Sequence, residues 1–464
     1  MSQNPEPAPA PVPVPDAPEP PGLNVPGTPV PLESTPAGQV VVRAQALTAC
    51  TPTAGYNRCQ RFNATGGPQI FIVPVGVTTV NARVWGSGGH YWNNQGSAGG
   101  GGGFTSGDIA VVPGEALLIV VGNYAGYGGG GGSNYSGGGG GMSGVHSPRL
   151  GQALLIAGGG GSGVPGAAGG AGGGASGGDA TIAPSSGAGT AARGASSGVG
   201  GQGAQFQGRD GGKGGNVGQP GNLSTGGSQP GSVLPQIGMG GGGGGGLGGH
   251  SGGGGGYAGG GGGMGFLGDG AGGSGFFSGG GGGSGFASGP GVSGGVTIAG
   301  SGSSAAGKSD PLYQAGIGDG GRYGGVAAQP GQVVLQWKAP VFTVAQADPN
   351  PVVMVPGVTT QMAFTVSTDT AVPVGQTITL AFPSGVALAP GGTVRYICPA
   401  DNINMLLPIT VGPDGSVSIT AREITPSTAC FYSVDIQAST TTPGPLQGSI
   451  TIDDTTGTTF FSVS

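Results

Sequence analysis

QIFIVPVGVTTVNARVWGSGG, residues 69–89, decides how this chain is read. It opens as two apolar, β-branched runs around the turn Pro74-Val75-Gly76, the composition of successive strands. At Gly86 it turns to glycine, which supplies 118 of the 464 residues. Glycine has no side chain to bury and loses more freedom on ordering than any other residue. A long glycine tract is therefore either a disordered linker or a body packed backbone against backbone.

Working outward from this stretch, short β-like runs return at Ile109–Val112, Ala116–Val121, Ala153–Ala157, Gly295–Ala299 and Gln332–Lys338. Between them lie glycine arms, including 128–144, 157–178 and 238–294. A flexible linker would be one unbroken Gly/Ser tract. Here the chain leaves a β-run, crosses glycine and comes back, which predicts a β-sandwich base whose loops are the arms. Each arm can be ordered as a left-handed polyglycine II helix of three residues per turn, rising ~3.1 Å per residue. Neighbouring arms would then pair N–H and C=O groups that burial would otherwise leave unsatisfied. Ordering costs about 1–2 kcal/mol per residue and a hydrogen bond returns about 0.5–1.5 net, so only a bundle clamped at its roots would hold. Runs such as Gly240–Gly246 break the Gly-X-Y frame that collagen requires.

The flanks differ. Residues 1–38 are Pro-rich and read as a stiff, extended tail. Residues 39–65 read as a small β element holding Cys50 and Cys59, and 66–339 as the glycine-rich domain. From 340 to 464 glycine falls, and alternation appears in Gln361–Ser367, Gln376–Phe382, Thr393–Cys398, Ser416–Ala421, Cys430–Ala438 and Gly448–Asp453. About seven short strands predict an immunoglobulin-like β-sandwich there. The fold class expected is thus mainly β with polyglycine II helices: a sandwich base bearing a glycine bundle, then a second sandwich.

Charged residues make up only 7% of the chain, with a net charge of −6. Residues 1–340 carry 11 basic and 11 acidic side chains, and 341–464 carry 2 (Arg395, Arg422) and 8. Without clustered Lys and Arg, nucleic acid is not expected as a partner. No signal peptide is visible at the start, and no apolar run reaches the ~18 residues of a membrane span. The cysteines fall in two local pairs, Cys50/Cys59 and Cys398/Cys430, which predict two disulfides and an oxidising environment, with buried thiols as the alternative. Their spacing fits no zinc motif.

The ordered set F-x-V-P-x-G-V-T, W-G-x-G-G, P-G-E-x-L-x-I-x-V-G and L-L-x-A-G-G-G-G, spread over about residues 66–338, resembles the glycine-rich domain of bacterial surface and phage tail proteins. A similar domain occurs in the extracellular part of the anaplastic lymphoma kinase receptor. The resemblance implies packed layers of polyglycine helices and a binding or scaffold role, and it brings no catalytic residues. The insert HYWNN (90–94) and the polar stretch 179–236 depart from the family's simplest pattern.

One phosphate-loop string exists, Gly302 to Ser309 (GSSAAGKS), but Asp310-Pro311 and a glycine cluster follow where a helix must begin. His90, His146 and His250 lie in or beside glycine tracts with no nucleophile-elbow setting around them. Asp453-Asp454 reads as a solvated strand end. No catalytic residue, metal or cofactor is assigned. The better lead is the aromatic set within the arms: Tyr91, Trp92, Tyr124, Tyr127, Tyr135, Tyr257, Phe276, Phe277 and Phe286. Exposed, such rings suit glycan or protein recognition; buried, they cap the glycine layers. Tyr91, Trp92, Tyr135, Phe276 and Phe277 are taken as candidate ligand-binding residues. The expected function is a non-enzymatic structural or adhesive protein of a cell surface, extracellular fibre or virion. It would self-assemble or join a larger assembly and bind a surface glycan or receptor; ice binding is the alternative.

Overall fold

A computed structural model describes residues 48–91, 97–124, 126–132, 138–184, 188–196, 198–207, 209–216, 251–266, 276–347, 350–369, 372, 374–398, 402–422, 424, 430–439, 444–453 and 455–463. These residues contain no α-helix and form antiparallel sheets throughout, with one parallel pair.

The first part contributes β1 (Thr48–Ala49), β2 (Arg58–Asn63), β3 (Gln69–Ile72), β4 (Thr79–Trp85), β5 (Phe104–Ala110), β6 (Ala116–Val120), β7 (Ser143–Ser147) and β8 (Gln152–Ala157). It continues with β9 (Gln205–Phe206), β10 (Arg209–Asp210), β11 (Met264–Phe266), β12 (Phe276–Ser278), β13 (Val292–Ile298) and β14 (Gln332–Trp337). A six-stranded sheet, β1-β2-β14-β4-β5-β13, faces a four-stranded sheet, β3-β6-β7-β8. The alternating apolar residues of QIFIV and of VNARVW meet between them, with Phe71, Val80, Val84, Leu117, Ile119, Leu155, Leu335 and Trp337 in the core. The last return of the chain, β14, is buried along its whole length between β2 and β4. Its glutamines are satisfied there: Gln336 Nε2 donates to Asn81 Oδ1 at 3.0 Å.

Two features of this base leave no local mark in the sequence. Residues 58–63 pair with 332–337 over six positions, so the Cys59 strand and the last return of the chain share one sheet. A central strand needs a ladder partner on both sides, and β2 is that partner. β7 begins in the last two residues of the arm 128–144 and runs three residues past it: Ser-Gly-Val-His-Ser carries no β-rich signal, yet all five residues are buried.

Beyond the strand ends, successive peptide groups of each glycine segment turn to different neighbours. The N–H groups of Gly99 to Gly103 donate in order to the carbonyls of Gly321, Gly161, Gly302, Gly318 and Gly158, at 2.7–2.9 Å. Every third residue returns to the same neighbour: Gly99 and Gly102 to the 318–321 segment, Gly100 and Gly103 to the 158–161 segment. Gly280 and Gly283 likewise donate to Ser162 and Gly159, and Gly281 and Ser284 to Gly261 and Ala258. At Gly160 an added Cβ would fall inside contact distance of the Gly100 carbonyl.

The C-terminal part is a second sandwich. It contains β15 (Phe342–Gln346), β16 (Val352–Met354), β17 (Thr359–Thr368), β18 (Thr377–Ala381), β19 (Val386–Leu388), β20 (Val394–Cys398), β21 (Ile403–Leu407), β22 (Ile409–Val411), β23 (Val417–Thr420), β24 (Cys430–Ala438), β25 (Gly444–Ile452) and β26 (Thr455–Val463). One sheet orders β15-β17-β24-β20-β21 with β19 beside β24, and the other β16-β26-β25-β18-β23-β22. That is twelve strands among the described residues rather than about seven. β16, β19 and β22 are three residues long, too short for alternation to register in sequence. Phe364, Tyr432, Ile450 and Phe461 fill the space between the sheets, with the Phe364 and Tyr432 rings stacked at 5.0 Å.

The two parts touch where the chain passes between them. Val75 packs against the second core, Val341 N–H donates to Asp369 Oδ1 at 2.8 Å, and Lys338 Nζ lies 3.6 Å from Asp369 Oδ2. Cys50 and Cys59 form a disulfide with their Cα atoms 5.2 Å apart. Cys398 is also disulfide-bonded; the side chain of Cys430, its expected partner, lies outside the described residues.

Candidate functional site

Among the described residues, glycine arms leave strand ends and fold back toward the sandwich. From Trp85 the chain runs out to Tyr91 and comes back from Ser97 to β5. From Ala157 it runs out to Val164, turns through Pro165-Gly166 and comes back from Ala167. This second tip closes with reciprocal bonds between Val164 and Ala167 (2.9 and 3.0 Å), and Gly166 takes the left-handed φ of 71° that a Pro-Gly turn requires. A third tip, Arg322–Val326, precedes β14.

These tips meet. Tyr91 bridges Gly163, Ser97 N–H donates to Val164 at 2.9 Å, His90 N–H to Gly138 at 3.2 Å, and Gly321 N–H to Gly89 at 2.9 Å. The ends of four segments that are far apart in sequence thus collect on one side of the glycine body.

The candidate aromatics sort into separate groups. Tyr91 is buried, its ring stacked on His90 at 5.4 Å, and His90 in turn lies 5.9 Å from Tyr124, which is 40% exposed. Phe276 is fully buried and stacks on Phe206 at 4.8 Å, in a pocket of Ala180, Ala192, Ala204 and Met264. Phe277 packs half-buried against Val164, Ala167 and Ala183 at the second tip. Trp92 and Tyr135 lie outside the described residues. Tyr127 is packed beside Met142, with burial pushing its hydroxyl far up from the usual range. Tyr257 and Phe286 stack at 4.1 Å, where the arms root in the sandwich. Tyr91, Phe276 and Phe277 therefore sit in three different contacts. The most exposed aromatic among the described residues, Tyr323 at 73%, lies on the third tip and is not one of the candidates. Its signal was the string Arg322-Tyr-Gly-Gly-Val326, a tight turn with Gly324 and Gly325 at positive φ.

The polar residues nearby have identifiable partners. Asp319 receives Lys308 Nζ at 2.6 Å and Arg322 Nη2 at 3.8 Å, and accepts from Ala305 N–H at 2.9 Å. The phosphate-loop string is thus a bridge and turns, with its lysine paired inside the protein. His90 Nδ1 lies 2.6 Å from the Tyr91 carbonyl. His146 is sealed in β7 with no hydrogen-bond partner on either ring nitrogen. Burial lowers its pKa, although the Gly151 backbone works the other way. His250 lies outside the described residues. Among the described residues no three His, Cys, Asp or Glu side chains converge as a metal site would require, and no helix is long and apolar enough to cross a membrane.

No protein-family model matches the chain, and no curated protein does. Partial likeness exists to solved structures. A chain of the CaDoc0917–CaCohA2 complex is 17% identical, covers 27% of this chain and 100% of its own, and has a TM-score of 0.19. A DUF4466 family protein from Parabacteroides merdae is 11% identical over 27% of this chain and 45% of its own, TM-score 0.20. AvmM, which catalyzes macrocyclization in alchivemycin A biosynthesis, is 9% identical over 27% and 88%, TM-score 0.19. Likeness at this level carries nothing over to this chain.

Proposed function

We propose that this chain is a non-enzymatic structural and adhesive protein of an extracellular fibre, coat or phage tail, in which a stiff glycine body presents its arm tips to a surface glycan or receptor. The observation that carries the reading is the gathering of separate arm tips on one side, with Tyr124 and Tyr323 exposed there. Recognition needs side chains held in place at low entropic cost, and a rigid body with aromatic tips supplies them.

The stiffness follows from the arms being polyglycine II helices. Support comes from the three-residue period of the hydrogen bonds, and from the absence of positive φ between Gly99 and Gly103, as a left-handed three-residue helix requires. The five residues Gly86–His90 would reach about 16 Å in that form. The glycine-rich domain of surface and tail proteins, which the sequence resembles, has this architecture. The second sandwich is read as immunoglobulin-like, with a Cys398/Cys430 bridge between strands, and it would join the body to its assembly. The Cys50–Cys59 disulfide fits an oxidising location outside the cell.

The test is binding of fluorescently labelled full-length chain to intact cells and to a glycan array. Retention that falls in the Tyr124→Ala, Tyr323→Ala double variant is the expected result. A monodisperse monomer that binds neither surface counts against the reading.

A further inference from the structure

At the roots of the arms, on the side of the sandwich and apart from the tips, a pocket of about 290 Å³ opens beside strand β13. The stacked rings of Tyr257 and Phe286 form one part of it, 4.1 Å apart and within 9° of parallel. Gly198, Gly285 and Gly295 supply a wall without side chains, and Ser288 and Thr297 place hydroxyls at it. The bareness of that wall is enforced. A Cβ on Gly285 would strike the Thr297 hydroxyl, and one on Gly295 the Ala287 carbonyl. Phe286 is held in place by its backbone bridge to Ile156 of β8.

Three properties define what could bind. No lining residue carries an ionised side chain at neutral pH, so the ligand is uncharged. The rings offer a flat apolar face. β13 is the last strand of its sheet, so alternate backbone N–H and C=O groups point away from β5 toward solvent. Thr297 Oγ1 accepts from the Thr105 hydroxyl at 3.1 Å, and the Ser288 hydroxyl beside it is exposed to a ligand. A purely aliphatic occupant would use the rings and waste the polar edge. A molecule with one C–H face and a rim of hydroxyls uses both.

We infer that this pocket binds a single neutral hexopyranose ring. Its C–H face lies against the Tyr257/Phe286 pair, and its hydroxyls bond to Ser288 Oγ and the backbone edge of β13. The site stands independently of the arm tips.

Saturation-transfer NMR on the full-length chain tests this, using millimolar methyl glycosides of glucose, galactose, mannose and N-acetylglucosamine, with N-acetylneuraminic acid as the charged control. At least one neutral glycoside should show transfer concentrated on the C–H protons of one ring face, and the acidic sugar none. Tyr257→Ala should weaken the binding tenfold or more. Because Tyr257 also packs the arm roots, Ser288→Ala serves as a second variant: an exposed side chain whose loss should weaken binding about three- to tenfold, the value of one hydrogen bond. Absence of transfer from every neutral glycoside, or transfer unchanged in both variants, overturns the inference. So does stronger transfer from a hydrophobic peptide than from any sugar. Loss of cell retention in the tip variants leaves these readouts unmoved, so the two readings fail separately.

Discussion

In the C-terminal sandwich, Phe364, Tyr432, Ile450 and Phe461 fill the space between two sheets; in the glycine body the same space is filled by peptide groups of neighbouring arms. The first interior gains from apolar area removed from water, roughly 25 cal/mol per Å². The second buries little apolar area and depends on each peptide group finding its partner, at about 0.5–1.5 kcal/mol net per bond. An interior of the first kind tolerates reshaping of a side chain. One of the second kind holds a few small side chains, such as those of Ser162, Ala258 and Ser284, and has no room for one where the arms approach to backbone contact.

The sharpest way to break this contrast is Gly160→Ala. The methyl group would meet the Gly100 carbonyl, which belongs to an equally packed arm. A loss of more than about 4 kcal/mol is expected, at the exceptional end for one substitution. It should appear as collapse of the first unfolding transition with the second unchanged. In the other interior, Phe364→Ala removes a fully buried, stacked ring and should cost about 3–5 kcal/mol. Differential scanning calorimetry should place that loss in the C-terminal transition alone. A shared shift in either variant would mean that the two interiors melt as one unit.

Smaller effects sharpen the comparison from the sandwich base. Opening the Cys50–Cys59 bridge by a Cys50→Ser, Cys59→Ser double variant frees a loop of sequence separation 9 and should cost about 2–3 kcal/mol in urea denaturation. His146 gives the base a pH dependence that the C-terminal sandwich has no histidine to share. Its folded pKa is lowered by burial, so the unfolded chain binds the proton more readily. Stability is therefore fully present above the unfolded pKa of about 6.5. It is lost as pH falls from there, with a slope of at most about 1.4 kcal/mol per pH unit. His146→Leu should flatten that dependence in urea midpoints taken between pH 8 and 5. Least affected should be Lys338→Ala at the junction, where an exposed ion pair is worth about 0–1 kcal/mol.

Much of the base was legible because its strands are apolar runs bounded by turn residues, alternating with polar residues in VNARVW and continuous in ALLIV. β7 was not legible, since Ser143-Gly-Val-His-Ser147 is buried by what packs around it rather than by its own composition. β2 could be read as a strand but not placed, because its partner β14 lies some 270 residues later and ladder pairing leaves no local mark. The aromatics were legible as the few large groups in a glycine field. Their exposure was not, because that depends on which tips meet. Phe276 looks like Tyr323 in sequence, yet one is fully buried and the other 73% exposed.

Amide hydrogen exchange resolved by residue tests the account at its centre, that the glycine arms are ordered by backbone-to-backbone bonding. The amides of 99–103, 158–163 and 279–285 should exchange as slowly as those of β4 and β14. Exchange of these glycines at open-chain rates, while β4 and β14 stay protected, would contradict it.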